Sequence, residues 1–161
     1  MPIPKIKPAV RSAFKVRPAR KGDVESLVAL LGQLFAQEVE FKPDPARQRR
    51  ALRMILGSPS VGRILVAEVD GRVVGMVSLL ASVSTALGGP VAWLEDLVVA
   101  SEWRGRGLGR RLVKGALIEA KKRAWRRLSL LTDDDNLKAH SLYRGHGFVA
   151  SPMRTFRRVI R

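Results

Sequence analysis

The sequence predicts a mixed α/β fold, an α+β sandwich of one sheet and several helices. Two β-branched runs at 64–69 and 73–80 are joined by Asp70-Gly71, which is the pattern of a β-hairpin. A third apolar run at 91–99 leads through a glycine-rich turn into an amphipathic helix at 108–124. Because strands and helices do not alternate regularly, the order argues against repeated βαβ units.

Breaks in the hydrophobic pattern define the remaining elements. Asp23 is the predicted N-cap of the first helix, and Gly57 ends the second. The other predicted elements are a strand at 14–17, the second helix at 46–56, a strand at 128–132, a helix at 136–144 and a final strand at 156–160. Residues 1–12 are basic and proline-rich, so we expect a loosely ordered arm before a single domain at 13–161.

Composition narrows the classes of protein that the chain can belong to. The chain has 161 residues, no cysteine and two histidines. These counts exclude a disulfide framework and a thiolate nucleophile, and they argue against a zinc site, so no metal is expected. There is no apolar run of membrane-spanning length and no apolar signal-peptide core near the start, so we expect no membrane partner and a cytoplasmic location.

Charge is distributed unevenly along the chain. The net charge is +16. Residues 1–22 carry seven Lys or Arg and no acid, and residues 101–127 carry ten against Glu102 and Glu119. Residues 23–100 instead carry nine acids against seven bases. This pattern favours a basic face for an anionic partner, and it keeps nucleic acid open as that partner.

The glycine-rich turn has the composition of an anion-binding site. Helix N-termini present unpaired N–H groups, glycines let the backbone approach a phosphate, and arginines add charge. The P-loop pattern is absent. A dinucleotide-binding G-x-G-x-x-G pattern that begins at Gly105 would need a third glycine at Arg110. The remaining pattern is Arg-x-x-Gly-x-Gly, filled by Arg104, Gly107 and Gly109.

With these residues the sequence resembles the GNAT superfamily of N-acetyltransferases. The likeness runs from about Val16 to Phe148 and includes "ILVAEVDGRVVGMVSLL" and "LEDLVVASEWRGRGLG". It ends in "NLKAHSLYRGHGF", which is similar to the family's Asn-x-x-Ala-x-x-x-Tyr-x-x-x-Gly-Phe pattern. The resemblance implies a central, mostly antiparallel twisted sheet with a splayed strand pair and about four flanking helices.

The resemblance also implies acetyl-CoA as the donor and a primary amine as the acceptor. Backbone N–H groups of the turn would hold the pyrophosphate, and an unpaired strand segment would hold the pantetheine arm. The chain positions that match the family's cofactor-binding residues are Leu97, Val98, Val99, Arg104, Gly105, Arg106, Gly107, Leu108, Gly109, Arg110, Asn136 and Tyr143.

Two residues match the family's acid–base positions. Glu95 lies in a Leu-Glu-Asp-x-x-Val pattern that resembles the polyamine acetyltransferases of the superfamily, and it is the candidate base, acting through water. Tyr143, the only tyrosine, occupies the general-acid position. Asp96 points to the opposite side of an ideal strand, but a bulge would exchange the two carboxylates. His140 and His146 receive no role.

The acceptor remains open between several classes. Acidic residues at 38, 40, 44 and 133–135 favour a small cationic amine. The alternatives are a protein lysine or N-terminus, or a basic nucleic-acid-associated module without catalysis. The alternation at 153–161 also permits a homodimer.

Overall fold

The computed structural model describes residues 14–38 and 40–160. The predicted arm at 1–12 therefore lies outside the described residues. The chain divides into two units, the first ending at Leu131 and the second beginning at Thr132. The prediction of a single domain at 13–161 stays a prediction.

The first unit is built around one six-stranded sheet. Along the chain its elements are β1 (Phe14–Pro18), α1 (Val24–Phe35), α2 (Pro45–Gly57), β2 (Gly62–Val69), β3 (Arg72–Ser84), β4 (Gly89–Leu94), β5 (Val98–Val99), α3 (Leu108–Lys122) and β6 (Leu128–Ser129). The strand order is β1-β2-β3-β4-β6, and β5 pairs with β3. All pairs are antiparallel except β4 with β6. The predicted mixed α/β class is confirmed.

The hairpin between β2 and β3 forms where the sequence predicts it. Asp70 and Gly71 have φ angles of 48° and 77°. Positive φ at both central residues matches the right-handed twist of the flanking strands, and glycine adopts it without a Cβ penalty. The turn fixes the register in which Val69 lies opposite Arg72.

Helices cover both faces of this sheet. Side chains of α1 and α2 form a buried core with Ile64, Val66 and Met76. Leu65, which points to the opposite face by strand alternation, packs near Gly115 of α3. A Cβ on Gly115 would lie 2.9 Å from Cγ1 of Val16, so a residue without a side chain lets α3 approach β1 and β2 closely.

The predicted third strand is interrupted in the structure. Leu94 of β4 lies opposite Leu79, whereas Val98 of β5 lies opposite Met76. Residues 95–97 therefore stand opposite residues 77 and 78, so the segment holds one residue more than its partner. This is a β-bulge, which bends a strand and redirects its side chains.

The pairing of β4 with the edge strand β6 does not continue beyond the bulge. β4 and β6 pair only through Ala92 with Leu128 and through Trp93 with Ser129. Among the described strands, β5 pairs with β3 alone. One edge of the strand segment that follows the bulge is therefore open, as the splayed strand pair implied by the sequence requires.

The second unit contains α4 (Leu137–Arg144), which begins at the N-cap Asn136 as predicted. The predicted strand at 156–160 is wrong, since these residues form no strand. Their apolar side chains are exposed, with Phe156 at 93%. Alternation in a sequence gives a strand only where a neighbouring strand can pair with its backbone, and the described residues of this unit contain no other strand.

We expect Leu112→Ala to destabilise the first unit by about 2–5 kcal/mol, because it empties a fully buried site between α3 and the sheet. Leu112 is 0% exposed. Ile118→Ala, on the same helix at 46% exposure, is the control and should change the free energy of unfolding by less than about 0.5 kcal/mol. Urea unfolding followed by circular dichroism measures both, and equal losses would contradict this packing.

Candidate active site

The turn before α3 has the backbone geometry of an anion-binding loop. Gly105 and Gly107 have φ angles of 74° and 81°, and Gly107 is the N-cap of α3. An added Cβ at either position would meet no atom within 4 Å, so the space above the turn is open. The left-handed conformation, rather than crowding, is therefore what requires glycine at these positions.

The N–H groups of this turn are available to a ligand. The first hydrogen bond of α3 runs from the Arg111 N–H to the Gly107 carbonyl, at 3.1 Å. Within the described chain, the N–H groups from Gly105 to Arg110 find no backbone acceptor. Together with the positive end of the helix dipole, they form a site that favours a phosphate.

Two arginines of the turn contact the protein itself. The Arg104 Nε donates to the Val99 carbonyl at 3.0 Å, so this side chain ties the turn to β5. The Arg106 guanidinium lies 4.6 Å from the centre of the Trp103 ring and also donates to the Glu102 carbonyl. Arg110 is exposed on the first turn of α3. The charges of the turn are thus held close to its free N–H groups.

The strand segment at 97–99 directs its backbone groups to two sides. The Ala100 N–H donates to the Val74 carbonyl on β3. Because backbone groups alternate along an antiparallel strand, Val98 also faces β3, and Val99 faces the open edge. Leu97 lies in the bulge. The Val99 N–H is therefore the group of this segment that is placed to meet a ligand at the open edge.

The bulge brings two neighbouring carboxylates to one face of the sheet. The Glu95 N–H donates to the Ser78 carbonyl at 2.9 Å, so Glu95 lies opposite Ser78 and shares its face. The Ser78 hydroxyl donates to Asp96 Oδ2 at 3.0 Å. The alternation expected of an ideal strand, with Asp96 on the opposite side, therefore does not hold here.

The two carboxylates have different surroundings. Glu95 is exposed, and Asp96 is half-buried. Burial raises the pKa of Asp96 above its ordinary value, while the hydrogen bond from Ser78 opposes that change. Ser78 is 1% exposed and contacts both residues, one through its carbonyl and one through its hydroxyl.

Sequence reasoning missed Ser78 and Trp93. A serine inside the apolar run "VVGMVSLLA" was the visible signal for the first. Trp93 precedes Glu95 by two residues, so both side chains lie on the same face, and the indole is 39% exposed. This face thus holds an accessible aromatic ring beside two carboxylates, which suits a cationic group.

The second unit carries the other predicted site residues. The Asn136 Oδ1 accepts from the Ala139 N–H at 3.1 Å and caps α4. Tyr143, near the end of α4, packs edge-on against Phe148 with ring centres 5.8 Å apart. Burial raises the pKa of Tyr143 above its ordinary value, so its phenol, which is protonated at neutral pH in any case, stays protonated.

Two features are absent from the described residues. Within residues 14–38 and 40–160 no three potential metal-ligating side chains gather around a point. Over the same residues, no helix combines the length and apolar character needed to cross a bilayer.

Comparison with known families decides how this chain is classified. A sequence model of the acetyltransferase (GNAT) family matches residues 27–148. The chain belongs to this family. GNAT proteins are acyltransferases that use acetyl-CoA, and the matched residues include the bulge, the glycine turn and α4.

Curated relatives carry acetyltransferase names. The N-alpha-acetyltransferase 40 of Saccharomyces cerevisiae is 31% identical over 136 residues, which covers 66% of this GNAT chain and 48% of the yeast protein. The streptothricin acetyltransferase of Streptomyces lavendulae is 28% identical over 156 residues and covers 85% and 82%. The chain therefore spans about half of the length of the yeast relative.

Solved structures share the fold over nearly the whole chain. An integron cassette protein from the mobile metagenome of Cole Harbour Salt Marsh superposes with a TM-score of 0.79 and 27% identity. The match covers 91% of this chain and 90% of that protein.

We expect Asp96→Asn to raise the free energy of unfolding at pH 7. Burial gives Asp96 a higher pKa in the folded than in the unfolded state. The free energy of unfolding therefore falls as the pH rises through the pKa of the folded state, because the folded protein then gives up a proton that it bound more tightly. Asparagine stays neutral and still offers an acceptor to Ser78. The gain over wild type should shrink as pH falls below the carboxyl range.

Urea unfolding at several pH values measures this difference. The exposed Asp134→Asn is the control and should change the free energy by less than about 0.5 kcal/mol. A loss of stability in Asp96→Asn that does not vary with pH would contradict the assigned cause.

Proposed function

We propose that the protein is an acetyl-CoA-dependent N-acetyltransferase that transfers an acetyl group to a primary amine by direct attack in a ternary complex. The observation that carries this proposal is the glycine turn, where free N–H groups, two left-handed glycines and arginines meet at a helix N-terminus. This arrangement fits the pyrophosphate of coenzyme A. When bound, acetyl-CoA supplies the acetyl group as an activated thioester.

The open strand edge supports the placement of the pantetheine arm. The backbone of Leu97, Val98 and Val99 would lie along it, with the Val99 N–H facing away from β3. A backbone N–H directed at the thioester carbonyl would stabilise negative charge on that oxygen, as oxyanion-hole donors do. Arg104, which donates to the Val99 carbonyl, would hold the turn at a fixed distance from this edge.

The acceptor must lose a proton before it attacks. An alkyl amine with a pKa near 10.4 is neutral in only about one molecule in several thousand at pH 7. Glu95, exposed beside the open edge, would accept the proton through a water molecule, and such bases contribute ~10²–10⁴-fold. Asp96, half-buried and hydrogen-bonded by Ser78, remains the alternative base.

The leaving sulfur needs a proton donor. Tyr143 would take this role, since its phenol carries a proton at neutral pH and the burial that raises its pKa leaves it protonated. Asn136 would contribute through the side-chain amide that its capping bond leaves available.

A small cationic amine is the proposed acceptor. The exposed Trp93 indole and the two carboxylates on its face favour a positively charged group. The similarity of the Leu-Glu-Asp-x-x-Val segment to polyamine acetyltransferases and the name of the streptothricin relative point the same way. The alternative is a protein N-terminus or lysine, which the name of the yeast relative favours.

We expect acetyl-CoA at about 100 times its dissociation constant to stabilise the wild type by ~2.7 kcal/mol, or ~5–11 °C in Tm. Gly107→Glu should abolish this shift, because it adds bulk and negative charge at the proposed phosphate site. Gly71→Glu is the matched control, since its φ of 77° imposes the same backbone strain far from the turn.

Thermal unfolding with and without acetyl-CoA measures all three proteins. A shift in the wild type and in Gly71→Glu, but not in Gly107→Glu, supports phosphate binding at the glycine turn. No shift in wild type would remove acetyl-CoA from the proposal, and equal loss in both variants would assign the effect to backbone strain.

We expect Glu95→Gln and Tyr143→Phe each to lower kcat by ~10²–10⁴-fold with the acetyl-CoA-dependent Tm shift retained. Release of free coenzyme A thiol in the presence of a panel of amines measures turnover. Asp96→Asn is the comparison variant. A larger loss there than in Glu95→Gln would transfer the role of base to Asp96, and full turnover in Tyr143→Phe would remove the tyrosine as acid.

A further inference from the structure

We propose that the solvent-exposed face of α3 binds the phosphate backbone of duplex DNA. This α3 basic face consists of Arg110, Arg111, Lys114, Lys121 and Lys122, all of which are exposed. The proposal goes beyond acetyl transfer, because a coenzyme A molecule at the glycine turn needs only the first turn of this helix.

The five cations lie on one side of the helix. At 100° per residue, Arg110, Lys114 and Lys121 fall within about 40° of one another, and Arg111 and Lys122 form a second row beside them. The face extends roughly 18 Å along the axis, at 1.5 Å per residue. A B-DNA duplex presents about one phosphate per 1.7 Å of its axis, so the face can meet several phosphates at once.

The one acid of α3 does not pair with this face. Glu119 lies about 60° around the helix from Lys122, but it contacts Arg123 at 2.7 Å and Arg63 at 3.6 Å. Over residues 14–38 and 40–160, none of the five cations forms a salt bridge. On α2, by contrast, Arg49 pairs with Glu25 and Arg47 with Asp44.

Helix stability accounts for only part of the arrangement. Lys121 and Lys122 lie in the last turn of α3, where the helix dipole favours cations. Arg110 and Arg111 lie at the positive end of the helix dipole, which disfavours cations. Arg110 and Lys114 are four residues apart, so like charges repel there. A bound polyanion relieves both costs.

The chemistry of the face favours a duplex over a single strand. Single-stranded nucleic acids are held by aromatic side chains on which bases stack. The α3 basic face meets an aromatic ring, that of Phe14 on β1, whose centre lies 5.0 Å from the Arg111 guanidinium. Its apolar member, Ile118, is 46% exposed. One ring already in contact with an arginine offers no row of stacking groups, which matches sequence-independent contact with paired strands.

The test measures binding of a fluorescent 20-base-pair DNA duplex by anisotropy between 50 and 200 mM salt. If all five cations contact phosphates, affinity should fall about 500-fold over this range, since each contact contributes about 0.9 to the logarithmic salt slope. The triple variant Lys114→Gln, Lys121→Gln, Lys122→Gln should fall only about 10-fold and bind more weakly at 50 mM. These three lysines lie outside the proposed acetyl-CoA site, so the acetyl-CoA-dependent Tm shift should persist.

The matched control is Arg47→Gln, Arg50→Gln, Arg53→Gln on α2, which removes the same charge from exposed positions of another helix. This variant should keep the wild-type salt slope. An equal decrease in both triple variants would overturn the proposal in favour of general charge attraction. Equal or tighter binding to duplex RNA, single-stranded DNA, polyglutamate or phosphatidylserine vesicles would overturn the assignment to duplex DNA.

Discussion

The single extra residue between β4 and β5 is the constraint on which the candidate site depends. Because β3 pairs with β4 before the bulge and with β5 after it, the chain cannot continue beside β6 and leaves an open edge. The same insertion brings Glu95 and Asp96 to one face. It also sets which residue of the segment turns its N–H outwards, and that residue is Val99. Backbone register, rather than any particular side chain, thus arranges the chemistry of this sheet.

Electrostatics divides the first unit into two regions. The face of the sheet beside the bulge has carboxylates and an indole, whereas the turn and α3 carry arginines and lysines. The proposed reaction uses both, since its donor is a polyanion and its proposed acceptor starts as a cation. The opposed charges keep the two ligands on separate approaches, and salt screens the repulsion between a cationic acceptor and the basic surface beyond about 8–10 Å.

Local chemistry in the sequence predicted some elements, and pairing decided the others. Asp70-Gly71 and the glycines of the turn need positive φ, which few other residues tolerate, so their positions were readable. The bulge could not be predicted from the sequence, because "LEDLVV" has the composition of a continuous strand. Only the register against β3 reveals the extra residue. The strand expected at 156–160 failed for the converse reason, since its alternation has no partner in its unit. The contact of Ser78 with Asp96 joins residues 18 positions apart and depends on the same register.

Arg104 of the glycine turn contributes more than positive charge, because its Nε donates to the Val99 carbonyl and so links the turn to β5. A guanidinium is planar and carries three nitrogens in fixed relation. With Nε held by the strand, the two terminal nitrogens have a set direction and distance from the open edge. A lysine there would keep the charge, but its three donors share one nitrogen and lack the fixed, planar spacing of a guanidinium. The planar guanidinium of Arg104 therefore fixes the distance between the glycine turn and β5. A side chain that supplied positive charge alone would not fix this distance.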